Sequence, residues 1–107
     1  MSAKTQATTQ HDPVTLNPEH YTVEVENERI RAIRISYGPG DKSEMHSHPA
    51  AVGVLLTDAD VRYTYPDGST EDIHGKAGQV MWLPPTTHQP QNVGNKRFEL
   101  IEVEIKG

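Results

Sequence analysis

The sequence predicts an all-β domain, folded as a sandwich or a closed barrel. Three observations carry that prediction. Apolar residues recur with period two, as in Ile33, Ile35 and Tyr37 against Arg34 and Ser36. No window sustains the i, i+3, i+4, i+7 spacing of an amphipathic helix. Eight glycines and eight prolines fall between short β-branched runs, cutting the 107 residues into roughly eight to ten strands, the count of a sandwich or barrel.

The elements follow in order. Tyr21 to Glu26 reads as a strand, and Asn27-Glu28 turns into a second strand, Arg29 to Tyr37. Gly38-Pro39-Gly40 is a turn, because proline presets φ and glycine admits positive φ. A strand around Glu44 to His48 breaks at Pro49, and Ala51 to Thr57 follows. Val61 to Tyr65 and Thr70 to His74 flank Pro66-Asp67-Gly68-Ser69, the clearest hairpin signal in the chain. Gly75-Lys76-Ala77-Gly78 leads to Gln79 to Leu83, Pro84-Pro85 interrupts, and His88 to Asn92 is a short strand. Val93 to Lys96 turns into the last strand, Arg97 to Lys106. There Ile101, Val103 and Ile105 alternate with Glu102 and Glu104, which reads as an apolar inner face and a solvated acidic one.

Ala51 to Thr57 is apolar on both faces, so its outer side needs a cover. A second sheet, the N-terminal arm or a partner chain would supply one, and the expectation is a homodimer. Residues 1–12 hold only Met1 and two alanines as apolar members, so they are expected to form a flexible tail before a single domain over residues 13–107.

Several function classes fall away. Without cysteine there is no disulfide framework, thiolate metal site or cysteine nucleophile. No apolar run reaches the roughly 18 residues of a membrane span, and the first ten residues lack the apolar stretch of a signal peptide, so a cytoplasmic protein is expected. A net charge of -5 argues against nucleic acid, whose binding rests on clustered Lys and Arg. No Ser/His/Asp triad, phosphate loop or DNA-reading helix is present.

The chemistry lies in the six histidines, above all His46, His48 and His88. On a strand, His46 and His48 leave the same face about 6.5–7 Å apart and can converge on one metal ion. On a helix the same spacing would point them roughly 200° apart. A bare His-x-His also fits two exposed strand residues.

The surroundings of this pair resemble the cupin family. Its first motif opens with glycine, five residues and His-x-His; here Gly40 precedes five residues and His46-Ser47-His48. Its second motif runs from glycine through proline to histidine and asparagine; here stand Gly78, Pro84, His88 and Asn92. The matched stretches are Gly40 to His48 and Gly78 to Asn92. Three departures accompany the match. Val52 or Gly53 occupies the slot of the motif glutamate, Pro84 to His88 is one residue shorter than the pattern, and Asp58, Ala59 and Asp60 stand where a closing glycine is expected.

The resemblance implies a small single-domain cupin, an antiparallel β-barrel or double-stranded β-helix of jelly-roll type. It also implies His46, His48 and His88 as the surviving ligands of a divalent ion, with Fe, Mn, Ni, Cu and Zn all compatible with imidazole. Cupins with a three-His centre include Fe(II) dioxygenases. Metal held only by histidines should be lost on acidification towards and below the histidine pKa of about 6.5. The alternative is a metal-free barrel that binds a small molecule or acts as a sensor, for which the missing glutamate speaks. A metal-independent isomerase with a histidine base is a third reading, and the residues show no second catalytic partner for it.

Other residues carry weaker expectations. Glu44 shares strand parity with His46 and His48 and is a conceivable fourth donor, although an exposed place at the mouth suits it better. His74 reads as exposed, and His11 and His20 have no paired ligand nearby. Tyr37, Tyr63, Tyr65 and Trp82 line a pocket or serve as plain core, and pocket shape depends further on Ile33 and Leu55. Gln89 and Gln91 fit a loop role.

Overall fold

Nine antiparallel strands pair into two sheets in the computed structural model, which describes residues 12–107. They are β1 (Tyr21–Glu26), β2 (Ile30–Tyr37), β3 (His46–His48), β4 (Ala51–Leu55), β5 (Ala59–Thr64), β6 (Thr70–Gly75), β7 (Val80–Leu83), β8 (Thr86–Asn92) and β9 (Phe98–Ile105). One sheet has the order β1-β2-β9-β4-β7 and the other β3-β8-β5-β6. The strands match the segments expected from the periodicity, and the breaks fall at the Gly and Pro clusters. Gly40 and Gly78, the glycines that open the two motifs, have φ of +82° and +87° with open space around them. Their requirement is therefore conformational, not steric.

One short element carries no periodic signal. Pro13–Leu16 forms a single helical turn, α1, capped by Asp12, whose carboxylate accepts the Val14 N–H at 3.1 Å. Pro13 stands at the start of the helix, where a missing N–H costs nothing. Asp12 also accepts two guanidinium N–H groups of Arg31 at 2.8 and 2.9 Å, and Glu104 accepts the Arg31 Nε–H at 2.9 Å. This triad ties the approach to α1 to β2 and β9. Among the described residues no helix is long and apolar enough to cross a membrane.

Tyr21, Ile33, Ile35, Tyr37, Leu55 and Phe98 form the heart of the core. Tyr37 stacks on Phe98 at 5.3 Å and meets Tyr21 edge-on at 5.9 Å. Asn92 at the end of β8 is buried and closes the turn into β9. Its Nδ2 donates to the Tyr37 and Lys96 carbonyls at 3.0 and 2.8 Å, and its Oδ1 accepts the Gly94 N–H at 2.9 Å.

β9 overturns the expected orientation of its two faces. Glu102 and Glu104 are only 6% and 3% exposed, whereas Ile105 is 44% exposed. Period two separates two faces without saying which one is inside. The register decides: Glu102 pairs with Ile33 of β2, which is fully buried, so the glutamates share the inner face. The outer face of this sheet is consequently apolar. Val52 pairs with Trp82 and Val103, and Val54 with Val80 and Ile101.

Candidate metal centre

His46 and His48 leave β3 towards the interior, and both are buried. β3 and β8 pair with His48 opposite Thr86 and His46 opposite His88. That register settles the direction of His88 despite the short Pro84 to His88 connection, because β8 starts at Thr86 and carries the ring inward. The ring centroids lie 5.0 Å apart for His46–His88, 5.0 Å for His48–His88 and 6.3 Å for His46–His48.

Each ring is held by its neighbours. His48 Nδ1 lies 3.0 Å from the Pro49 carbonyl, which only accepts, so Nδ1 is the donor. His88 stacks on Tyr63 at 4.3 Å, and His46 meets the edge of Tyr21 at 5.3 Å. His46 Nδ1 is buried without a hydrogen-bond partner. Burial, reinforced by the neighbouring His48, lowers the His46 pKa to about 4. Burial, with His48 and His46 adding to it, lowers that of His88 to about 2. Both rings are thus neutral at neutral pH, the form that binds metal.

The donor set meets a divalent ion part-way. With a metal–nitrogen bond of about 2.1 Å the ring centroid lies about 3.2 Å from the ion, so rings 5.0 Å apart subtend roughly 100° at a shared metal. The 6.3 Å between His46 and His48 corresponds to about 160°, too wide for a tetrahedral or octahedral neighbour pair. Accordingly, among the described residues no three His, Cys, Asp or Glu side chains form a ready-made coordination group. Donor type and two of the three separations fit; the third, between His46 and His48, does not as the side chains lie.

The trio faces a cavity of about 330 Å³, at the small end for a ligand pocket. Its walls include Tyr21, Tyr37, Leu55, Tyr63 and Phe98, with Glu102 beside them. The hydroxyls of Tyr21 and Tyr37 share a hydrogen bond of 2.6 Å. Burial raises the Tyr37 hydroxyl to about 12 and pushes Tyr21 and Tyr63 up as well, so all three are neutral phenols.

No family model matches the chain, and no curated protein does. Solved structures do. A cupin domain from Bordetella pertussis Tohama I superposes with a TM-score of 0.75 at 26% identity, over 81% of this chain and 92% of its own. An RmlC-like cupin family protein from Methanocaldococcus jannaschii, with a double-stranded β-helix fold, matches with a TM-score of 0.60 at 17% identity over 79% of each chain. An uncharacterized conserved protein from Klebsiella pneumoniae with a double-stranded β-helix domain gives 0.64 at 21% identity, over 81% and 76%.

The chain has the cupin fold.

Within the cupin barrel the remaining candidates separate. Tyr37, Leu55, Tyr63 and Tyr65 line the cavity; Trp82 borders it while 61% exposed, and Ile33 is packed into the core. Glu44 is exposed, precedes β3 and does not line the cavity. His74 is exposed and contacts Asp60 at 2.7 Å. His20 stacks on Tyr37 at 4.4 Å, with Nδ1 2.9 Å from the Ser36 carbonyl. Gln89 and Gln91 belong to β8 instead of a loop. His11 lies outside the described residues. The residue that sequence reasoning misplaced is Glu102, a cavity carboxylate that alternation assigned to solvent.

Proposed function

We propose that this cupin binds a small molecule and holds one divalent ion (Fe, Mn, Ni, Cu or Zn) through His46, His48 and His88. The observation that carries the reading is the meeting of three buried imidazoles, from β3 and β8, on one side of the cavity. The Pro49 carbonyl fixes the His48 tautomer, as outer hydrogen bonds do for metal-binding histidines. Tyr63 restrains the His88 ring by stacking. Aromatic and aliphatic side chains line the cavity, and the neutral phenols of Tyr21 and Tyr37 offer hydrogen bonds to a ligand. When bound, the ion supplies a Lewis-acid centre with positions open to that ligand.

A second reading is a metal-free small-molecule barrel. The 6.3 Å opening between His46 and His48 favours it, since that pair does not close on an ion as the side chains lie. Elemental analysis of untagged protein, beside a His46→Ala, His88→Ala variant, decides between the two. Near-stoichiometric metal in the parent and none in the variant supports the three-His site. A parent that stays metal-free after incubation with each of the five ions leaves the second reading. Iron would direct oxygen-consumption assays, and zinc or nickel hydrolytic and isomerase screens.

The proposal includes a homodimer through the outer face of the five-stranded sheet. Val80 and Trp82 are 66% and 61% exposed there, in register with half-buried Val52, Val54, Ile101 and Val103. A continuous apolar patch of this kind marks an association surface.

A further inference from the structure

We infer that the cavity takes a compact organic cation, a small primary amine with an apolar body, whose ammonium group sits against Glu102. The inference deepens the small-molecule reading above, rests on it, and concerns the barrel without an ion. Glu102 is only 6% exposed and lines the cavity. Among the described residues its carboxylate has no hydrogen-bond partner and makes no ion pair. A buried carboxylate in that condition is costly unless a cation or a donor shares its site.

The barrel does not supply that cation itself. Among the described residues, no Lys or Arg lines the cavity. Across the two ladders Glu102 stands opposite Ile33 and Gly53, neither of which has a polar side chain to offer it. The Arg31 guanidinium is engaged by Asp12 at 2.8 Å and by Glu104 at 2.9 Å. Even so, Glu104 Oε2 is buried without a partner. This side of the interior therefore sets one guanidinium against three carboxylates. Glu71, exposed and bordering the cavity, adds a further negative charge at its edge.

The same walls define the rest of the ligand. Leu55, Met81, Phe98 and Leu100 give an apolar lining, and a volume of about 330 Å³ suits one ring with a short chain. The Tyr21 and Tyr37 hydroxyls, joined at 2.6 Å, keep lone pairs that accept further ammonium N–H groups. Burial raises these two phenols and that of Tyr63, and the charge on Glu102 adds to each rise, so carboxylate and phenols act on one space. An ammonium there gains charge-assisted hydrogen bonds, whereas an anion meets carboxylates and no cationic side chain. The net charge of -5 also favours the approach of a cation.

The test is calorimetric titration of untagged, chelator-dialysed protein with three probes of similar shape: phenethylamine (a cation), phenethyl alcohol (neutral) and hydrocinnamate (an anion). The parent and Glu102→Gln are compared, with thermal melts to establish that each is folded. The parent should bind the amine at least about tenfold more tightly than either other probe, and Glu102→Gln should lose that preference while still binding the alcohol. If the parent binds the alcohol or hydrocinnamate as tightly as the amine, the inference falls and the small-molecule reading stands. A folded Glu102→Gln that keeps the full preference for the amine also overturns it. If the parent binds none of the three while a wider thermal-shift search of neutral and anionic compounds yields a ligand, the inference falls alone; silence in both takes the small-molecule reading with it. Should Glu102→Gln unfold, the ranking of the three probes on the parent decides by itself.

Discussion

His46 and His88 are direct partners across the β3–β8 pairing, their rings edge to face at 5.0 Å. Because paired residues share a face, the ladder itself sets the separation of two of the three rings. A slip of one residue would send His88 to the opposite face and dissolve the cluster.

Acid should destabilise the metal-stripped protein. His46 and His88 have folded pKa values of about 4 and 2, below the unfolded value, so the unfolded chain takes up their protons first. Their contribution is fully present above about pH 6.5 and is lost as pH falls, by up to about 1.4 kcal/mol per unit for each ring. Glu102 and Glu104 act in the opposite sense, since burial raises their folded pKa and returns some stability as they protonate. Thermal melts should therefore show Tm falling between about pH 6.5 and 5, with a shallower slope in His88→Leu. A flat parent profile would contradict the burial of neutral histidines.

Removing Arg31 should cost more than removing its whole network. Arg31→Met leaves Asp12 and Glu104 as neighbouring carboxylates without their cation, a loss of about 3 kcal/mol or more in urea unfolding. Adding Glu104→Leu should recover part of that loss. No recovery would mean that the cost lies in packing of the Arg31 stem.

Asn92→Ala should lower stability by about 2–3 kcal/mol. It strands the Tyr37 and Lys96 carbonyls and the Gly94 N–H at once. Asn92→Asp should fall short of rescue, because a carboxylate cannot donate to either carbonyl. Chemical denaturation of the two variants checks this.

Val54→Glu with Val80→Lys should yield a folded monomer. The two positions are cross-strand partners, so the new charges pair on the surface while breaking any apolar contact with a second copy. Sedimentation velocity of parent and variant reads the outcome, and equal masses would remove the dimer proposed here.

Much of this architecture is legible in the chain. The strands follow from period-two runs cut by Gly and Pro, and Gly40, His46, His48, Gly78, His88 and Asn92 stand at recognisable spacing. The single turn α1 is not, because four residues are too few to show a period; the Asp12-Pro13 start is its one local signal. Nor is the triad of Asp12, Arg31 and Glu104, in which Arg31 lies 19 positions from Asp12 and 73 from Glu104.

By itself the sequence determined the strand segments, the turns between them and the three histidines that share a site. Local sterics and side-chain alternation act within a few residues, so they are written locally. Only the tertiary structure decided which face of β9 is interior, how far apart the rings stand and that Glu102 lines the cavity they face. Alternation is symmetric between inside and outside, and only pairing with Ile33 and Gly53, residues distant in sequence, breaks that symmetry for Glu102.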